Sequence, residues 1–149
     1  MFQHLLVPTD GTALSRGTAL QAVRFAKSID AKITAFHAMP ELRLLANHPG
    51  LTPETRNSFV EQARSHADEL LAFVKQAAQA EGVACQTVMV SSDHPHEAIL
   101  RAALDRDCDL IFMASHGRRG IEGLLVGSET QKVMTHSKIP VLVWRAQEE

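Results

Sequence analysis

Short apolar runs alternate along this chain with stretches of helical period, and that alternation limits the fold more than any other feature. The runs are residues 3–8 (Gln-His-Leu-Leu-Val-Pro), 32–38 (Lys-Ile-Thr-Ala-Phe-His-Ala), 83–91, 110–113 and 141–144. Each has the length of a buried strand and is bounded by turn residues or a helical pattern. After the first run, Leu14, Ala19, Val23 and Ala26 recur at helical spacing over residues 14–29. A long helix opens at Thr52-Pro53-Glu54, an N-cap followed by proline at the first helical position. Its apolar stripe runs Phe59, Ala63, Ala67, Leu70, Leu71, Val74 and Ala78, and Gly82 stops it. Pro95 to Asp105 and Ser128 to His136 supply the remaining helices. Parallel strands need crossovers of this length. The pattern therefore predicts a doubly wound α/β domain, a five-stranded parallel sheet with helices on both faces, Rossmann-like, and the order 3-2-1-4-5 is the one expected for it. A length of 149 residues without repeat or linker predicts one domain over 1–149.

Composition excludes several classes. The net charge is −2, so no basic field recruits nucleic acid or an anionic membrane. With no Tyr and one Trp, a base-stacking surface is not expected either. The amino terminus has no basic region and only a short apolar run, unlike a signal peptide, and no segment has the apolar length of a membrane span. The cytoplasm is the expected compartment. Cys85 and Cys108 fall in different elements without metal-ligand spacing and are expected as small core residues.

In a sheet of this order, ligands sit beyond the carboxyl ends of the strands where strand order reverses, here between the first and fourth strands. The residues at those ends are Asp10, His37-Ala38-Met39 and Ala114 to Gly117. The fourth strand runs into Met113-Ala114-Ser115-His116-Gly117, and Gly127-Ser128 follows just before the last helix. Glycines and a serine at a strand-to-helix junction leave backbone N–H groups unpaired, and the helix dipole adds positive potential. Together they form a seat for phosphate. A plainer alternative stands beside this one: Gly117 turns the chain, and Ser128 with Gln131 forms a capping box.

Taken together these residues resemble the universal stress protein family. The resemblance spans essentially the whole chain: Leu5-Leu-Val-Pro-Thr-Asp10-Gly, Phe36-His37-Ala, Asp109-Leu-Ile-Phe-Met-Ala-Ser-His-Gly117, Gly127-Ser128 and Ile139-Pro-Val-Leu-Val143. The nucleotide-binding branch carries Gly, two residues, Gly, nine residues, then Gly and Ser or Thr. The corresponding positions are Ala114, Gly117, Gly127 and Ser128, so the first glycine is replaced. At negative φ that alanine costs little; at positive φ it strains the loop. The resemblance implies an ATP-binding regulatory protein of the stress response, taking ATP, or ADP or AMP, with Mg²⁺. It implies a contact from Asp10, beside Pro8 and Thr9, to the adenosine end, and an adenine pocket lined by Ala38 and Met39. Met113 and Ala114 then lie along the ribose, with His116, Gly117, Arg118, Gly127, Ser128 and Glu129 around the phosphates. A homodimer through the C-terminal strand and a protein partner of unknown identity complete the picture. Two alternatives are a nucleotide-independent interaction module of the same fold and a slow ATPase.

Other constellations carry less. His94-Pro95-His96 has no third metal ligand at a recognisable spacing, so no metal site is expected there. His116 lies inside the phosphate segment and either donates to phosphate or orients the loop. His37 reads as a satisfied structural histidine. There is no Walker-type Gly-Lys-Ser/Thr, and Asp10 is the one carboxylate expected at the mouth, so catalytic residues are not expected.

Overall fold

The computed structural model describes residues 1–41, 50–116 and 126–145. Along them run β1 (His4–Pro8), α1 (Ala13–Ser28), β2 (Lys32–Met39), α2 (Pro53–Ala80), β3 (Cys85–Ser91), α3 (Pro95–Asp105), β4 (Leu110–Ala114), α4 (Ser128–His136) and β5 (Val141–Trp144). The five strands form one parallel sheet in the order β3-β2-β1-β4-β5. That is the expected order.

The period of two along each strand divides the core into two layers. Leu5 and Val7 of β1 point to the side where α1 and α2 pack, among Val23, Ala26, Leu71 and Val74. Leu6 points the other way, toward Ile99 and Ala102 of α3 and Val133 of α4. β4 repeats the arrangement, with Phe112 on the first side and Ile111 and Met113 on the second. Phe36 and Phe112 are almost fully buried, each contributing about 2–3 kcal/mol of apolar transfer free energy. Ala19, Ala22 and Ala26 let α1 lie close against the strands.

The long helix departs from the sequence reading at its start. Its 28 residues span about 42 Å, whereas the eight residues of β2 span only about 26 Å. The N-terminal turns of α2 therefore overhang the sheet. Burial along α2 begins at Ala67, and Phe59, expected in the core stripe, is 44% exposed. A helical period specifies a face, not how much of that face meets a partner. The overhang carries Ala63 and His66 past the strand ends, over the site.

Candidate functional site

The turn leaving β1 is held by a short polar network. The Thr9 backbone N–H donates to the Phe36 carbonyl at 2.8 Å, continuing the β1–β2 ladder by one bond. Thr9 and Ser15 hydroxyls pair at 2.7 Å, and the Asp10 N–H donates to the Ser15 hydroxyl at 3.0 Å. Asp10 Oδ1 accepts from the Thr12 N–H at 3.0 Å and its hydroxyl at 2.7 Å, and Thr12 in turn caps α1 by accepting from the Ser15 N–H. Between them Gly11 sits at φ +82°, and a Cβ there would lie 2.6 Å from Leu70 Cδ2 of α2. The chain needs glycine here both for the left-handed conformation and for the close approach. Next to this turn, His37 Nδ1 donates to the Thr9 carbonyl at 2.7 Å. Its role as a satisfied structural histidine is thereby explained, and its ring also lines the cleft, edge-on to His66 with centroids 6.4 Å apart.

The β4 end is tied to α4 by two bonds. The Gly127 N–H donates to the Ser115 carbonyl at 2.6 Å, and the Thr130 hydroxyl to the Ala114 carbonyl at 3.0 Å. The N-cap of α4 is Gly127, which offers no side-chain cap, and Ser128 is the first residue of the helix. The capping box considered for Ser128 and Gln131 does not form: the Gln131 amide donates to the Val126 carbonyl at 3.1 Å instead. Gly127 has φ −69°, open to any residue, so backbone conformation does not demand glycine there. What the missing side chain provides is room at the helix start. Ala114 is also free of left-handed strain, since among the described non-glycine residues only Asp30 and Asp107 have positive φ. His116 Nδ1 pairs with the neighbouring Ser115 hydroxyl at 3.1 Å.

Beyond the strand ends these pieces enclose a cleft of about 440 Å³. Pro8, Thr9 and Asp10 line it from β1, Ala38 and Met39 from β2, Met113, Ala114 and His116 from β4, and Gly127, Ser128 and Glu129 from α4. Gly117 and Arg118 fall outside the described residues. The lining also includes residues that strand-end reasoning did not reach: Ser15, Phe36, Pro40, Ala63, His66, Ser92, Asp93, Pro95, Ile99 and Thr130. Ala63 and His66 arrive through the overhang of α2, which only the relative lengths of helix and strand disclose. Thr130, three residues after Gly127, has the spacing of a first-turn residue and was legible as a candidate.

Electrostatics at the cleft come chiefly from backbone. The described lining holds the carboxylates of Asp10, Asp93 and Glu129 and no lysine or arginine. Each carboxylate has a local donor: Thr12 for Asp10, the Glu41 N–H for Asp93 at 2.9 Å, and His96 for Glu129. Burial pushes the Glu129 carboxyl up, but hydrogen bonds from the His96 backbone, Lys132 and the His96 ring together outweigh it and leave it below the usual range. Attraction for an anion therefore rests on the N-terminus of α4, which its N-cap residue leaves without a side-chain cap. His96 faces Glu129 rather than His94. Among the described residues no group of three or more His, Cys, Asp or Glu is arranged to hold a metal ion, and no helix is long and apolar enough to cross a membrane.

A doubly wound parallel sheet in the order β3-β2-β1-β4-β5, with a cleft beyond the strand ends at its switch point, defines a Rossmann-like α/β domain. This chain belongs to the universal stress protein family, whose model matches residues 1–145. Universal stress protein MJ0531 of Methanocaldococcus jannaschii is 30% identical over 144 residues, covering 96% of this chain and 82% of that protein. The solved structure of MJ0577 from the same organism superimposes with a TM-score of 0.81 at 24% identity, covering 100% of this chain and 99% of the other. An Arabidopsis thaliana universal stress protein family protein, solved with AMP bound, has a TM-score of 0.70 at 15% identity, covering 97% and 92% of the two chains.

Proposed function

We propose that this chain is an ATP-binding regulatory protein of the stress response, holding the nucleotide in the cleft between the ends of β1 and β4. The observation that carries the reading is the start of α4, where Gly127, Ser128 and Glu129 open into the cleft without a side-chain cap. That geometry suits a phosphate, and the Arabidopsis thaliana structure described above holds AMP. In this arrangement adenine lies against Ala38 and Met39, ribose along Met113 and Ala114 near Asp10, and phosphates at Gly127 to Glu129. Pro8, Thr9 and His116 complete the walls, and Gly117 and Arg118 belong to the same phosphate segment of the family pattern. ADP and AMP fit the same seat. Mg²⁺ accompanies ATP chiefly through the phosphates, in keeping with its habit of retaining waters and few protein ligands.

The reading includes a cytoplasmic homodimer through β5, an edge strand whose Val141, Leu142 and Val143 are half-buried. Its Trp144 is 37% exposed and stacks on Phe112 at 6.2 Å. Pairing two such edges about a twofold axis would satisfy both rows of backbone groups. Asp10 is committed to Thr12, which favours holding a nucleotide over turning it over. Calorimetric titration of nucleotide-stripped protein with ATP, ADP, AMP and adenosine tests the proposal. Dissociation constants between millimolar and micromolar are expected, about −4 to −8 kcal/mol. Folded protein that takes up none of these ligands at millimolar concentration would leave the nucleotide-independent interaction module as the function.

A further inference from the structure

The ring of His96 is the part of the site's surroundings that the nucleotide reading leaves without a task. His96 lies in the first turn of α3, and its side chain is only 16% exposed. Both its backbone N–H and its ring Nδ1 reach one atom, Glu129 Oε2 of α4, at 2.9 and 3.1 Å. Helix α3 has no side-chain cap from its own N-cap residue His94, so the Glu129 carboxylate caps it from the neighbouring helix. Lys132 Nζ holds the other oxygen, Oε1, at 3.3 Å. The exposed Glu97 carboxylate lies 3.9 Å from His96 Nε2, and the His136 ring 6.4 Å away. One side chain thus joins the starts of two helices that both face the cleft.

We infer that His96 is a positioning residue for the phosphate end of the cleft. Resting on the nucleotide reading above, its grip on Glu129 does two things. It fixes the first turn of α4, so that the amides after Gly127 keep their aim into the cleft. It also draws the Glu129 carboxylate toward α3, away from an incoming phosphate. Without the ring donor, the carboxylate keeps only the backbone N–H of residue 96 and Lys132, and it turns more readily toward the anion, where like charges repel.

The test compares AMP and adenosine affinities by calorimetry in wild type, His96→Ala, His96→Asn and Glu129→Gln, alongside thermal midpoints. His96→Ala weakens AMP roughly ten-fold, the scale of one lost charge-assisted hydrogen bond, and leaves adenosine within about two-fold. His96→Asn places an amide donor near the position of Nδ1 and restores AMP binding. Glu129→Gln keeps an oxygen for the His96 N–H, drops the negative charge and binds AMP at least as tightly as wild type. A purely structural role would shift both ligands together with the thermal midpoint. His96→Ala binding AMP like wild type, or losing adenosine equally, overturns the positioning role. So does weaker AMP binding by Glu129→Gln, which carries the test if the alanine variant does not fold. Wild type that binds neither ligand is a different result, and refutes the nucleotide reading itself.

Discussion

Replacing Gly11 by alanine should destabilise the fold through the turn that follows β1 and lines the cleft, and the geometry there sets the size of each contribution. At φ +82° an L-residue is in the left-handed region, which costs about 1–2 kcal/mol. The new methyl would stand 2.6 Å from Leu70 Cδ2 and 3.1 Å from Cδ1. Both atoms are at the far end of a flexible side chain, so a shift of Leu70 relieves the clash for about 1 kcal/mol, the low end of overpacking costs. The less flexible unfolded chain returns about 0.5 kcal/mol. The net is about 2 kcal/mol, with backbone conformation outweighing the clash, and the expected fall in Tm is about 4–8 °C. Urea unfolding of Gly11→Ala against wild type measures the total. Gly11→Asn separates the causes, because asparagine tolerates the left-handed region better while crowding Leu70 at least as much. If the backbone dominates, asparagine costs less than alanine; if the clash dominates, it costs more. A double mutant with Leu70→Ala should show a coupling of about 1 kcal/mol. Gly11→Ala within about 0.5 kcal/mol of wild type would refute the reasoning, because that is the scale of an unremarkable surface change.

Four further outcomes are expected. Gly127→Val should stay folded, since φ −69° accepts any residue, with its urea midpoint lowered only by the poorer N-cap, yet lose ATP binding in a calorimetric titration; normal binding would move the phosphate seat elsewhere. Ala114→Gly should change ATP affinity by no more than about three-fold, because alanine is unstrained there and only a methyl is at stake. Leu142→Pro or Val141→Lys should convert a dimer to a monomer in sedimentation velocity, and a wild type that sediments as a monomer at tens of micromolar refutes pairing through β5. Burial lowers the His4 pKa below its ordinary 6.5, aided by Lys32 and opposed by Asp109. The unfolded chain then binds the extra proton first, so this contribution is complete above pH 6.5 and is lost as pH falls toward the lowered folded value. The slope is at most about 1.4 kcal/mol per pH unit, and His4→Gln should remove it from urea midpoints measured across that window.

Much of this protein was legible in the residues because local rules there agree with the final fold. Strand runs such as Leu5-Leu-Val and Asp109-Leu-Ile-Phe, the Thr52-Pro53 helix start and the stop at Gly82 specify elements through spacing and turn chemistry. Crossover length then makes the sheet parallel, and the strand ends bring Asp10, Ala38, Ala114 and Gly127 to one cleft. What the sequence could not decide were matters of competition and distance. Ser128 and Asp10 each have several possible hydrogen-bond partners in sequence. Only the structure chose Gly127 as the cap of α4, whereas the bond of the Asp10 carboxylate to Thr12, two residues on, is a local turn contact. His37 satisfies the Thr9 carbonyl from 28 positions away, and Glu129 caps α3 from 33. Phe59 follows the period of a buried stripe but stands where the sheet has already ended. A sequence specifies which groups seek burial or a partner, whereas the tertiary structure decides which are within reach, because hydrogen bonds and contacts act over a few ångströms that chain position does not measure.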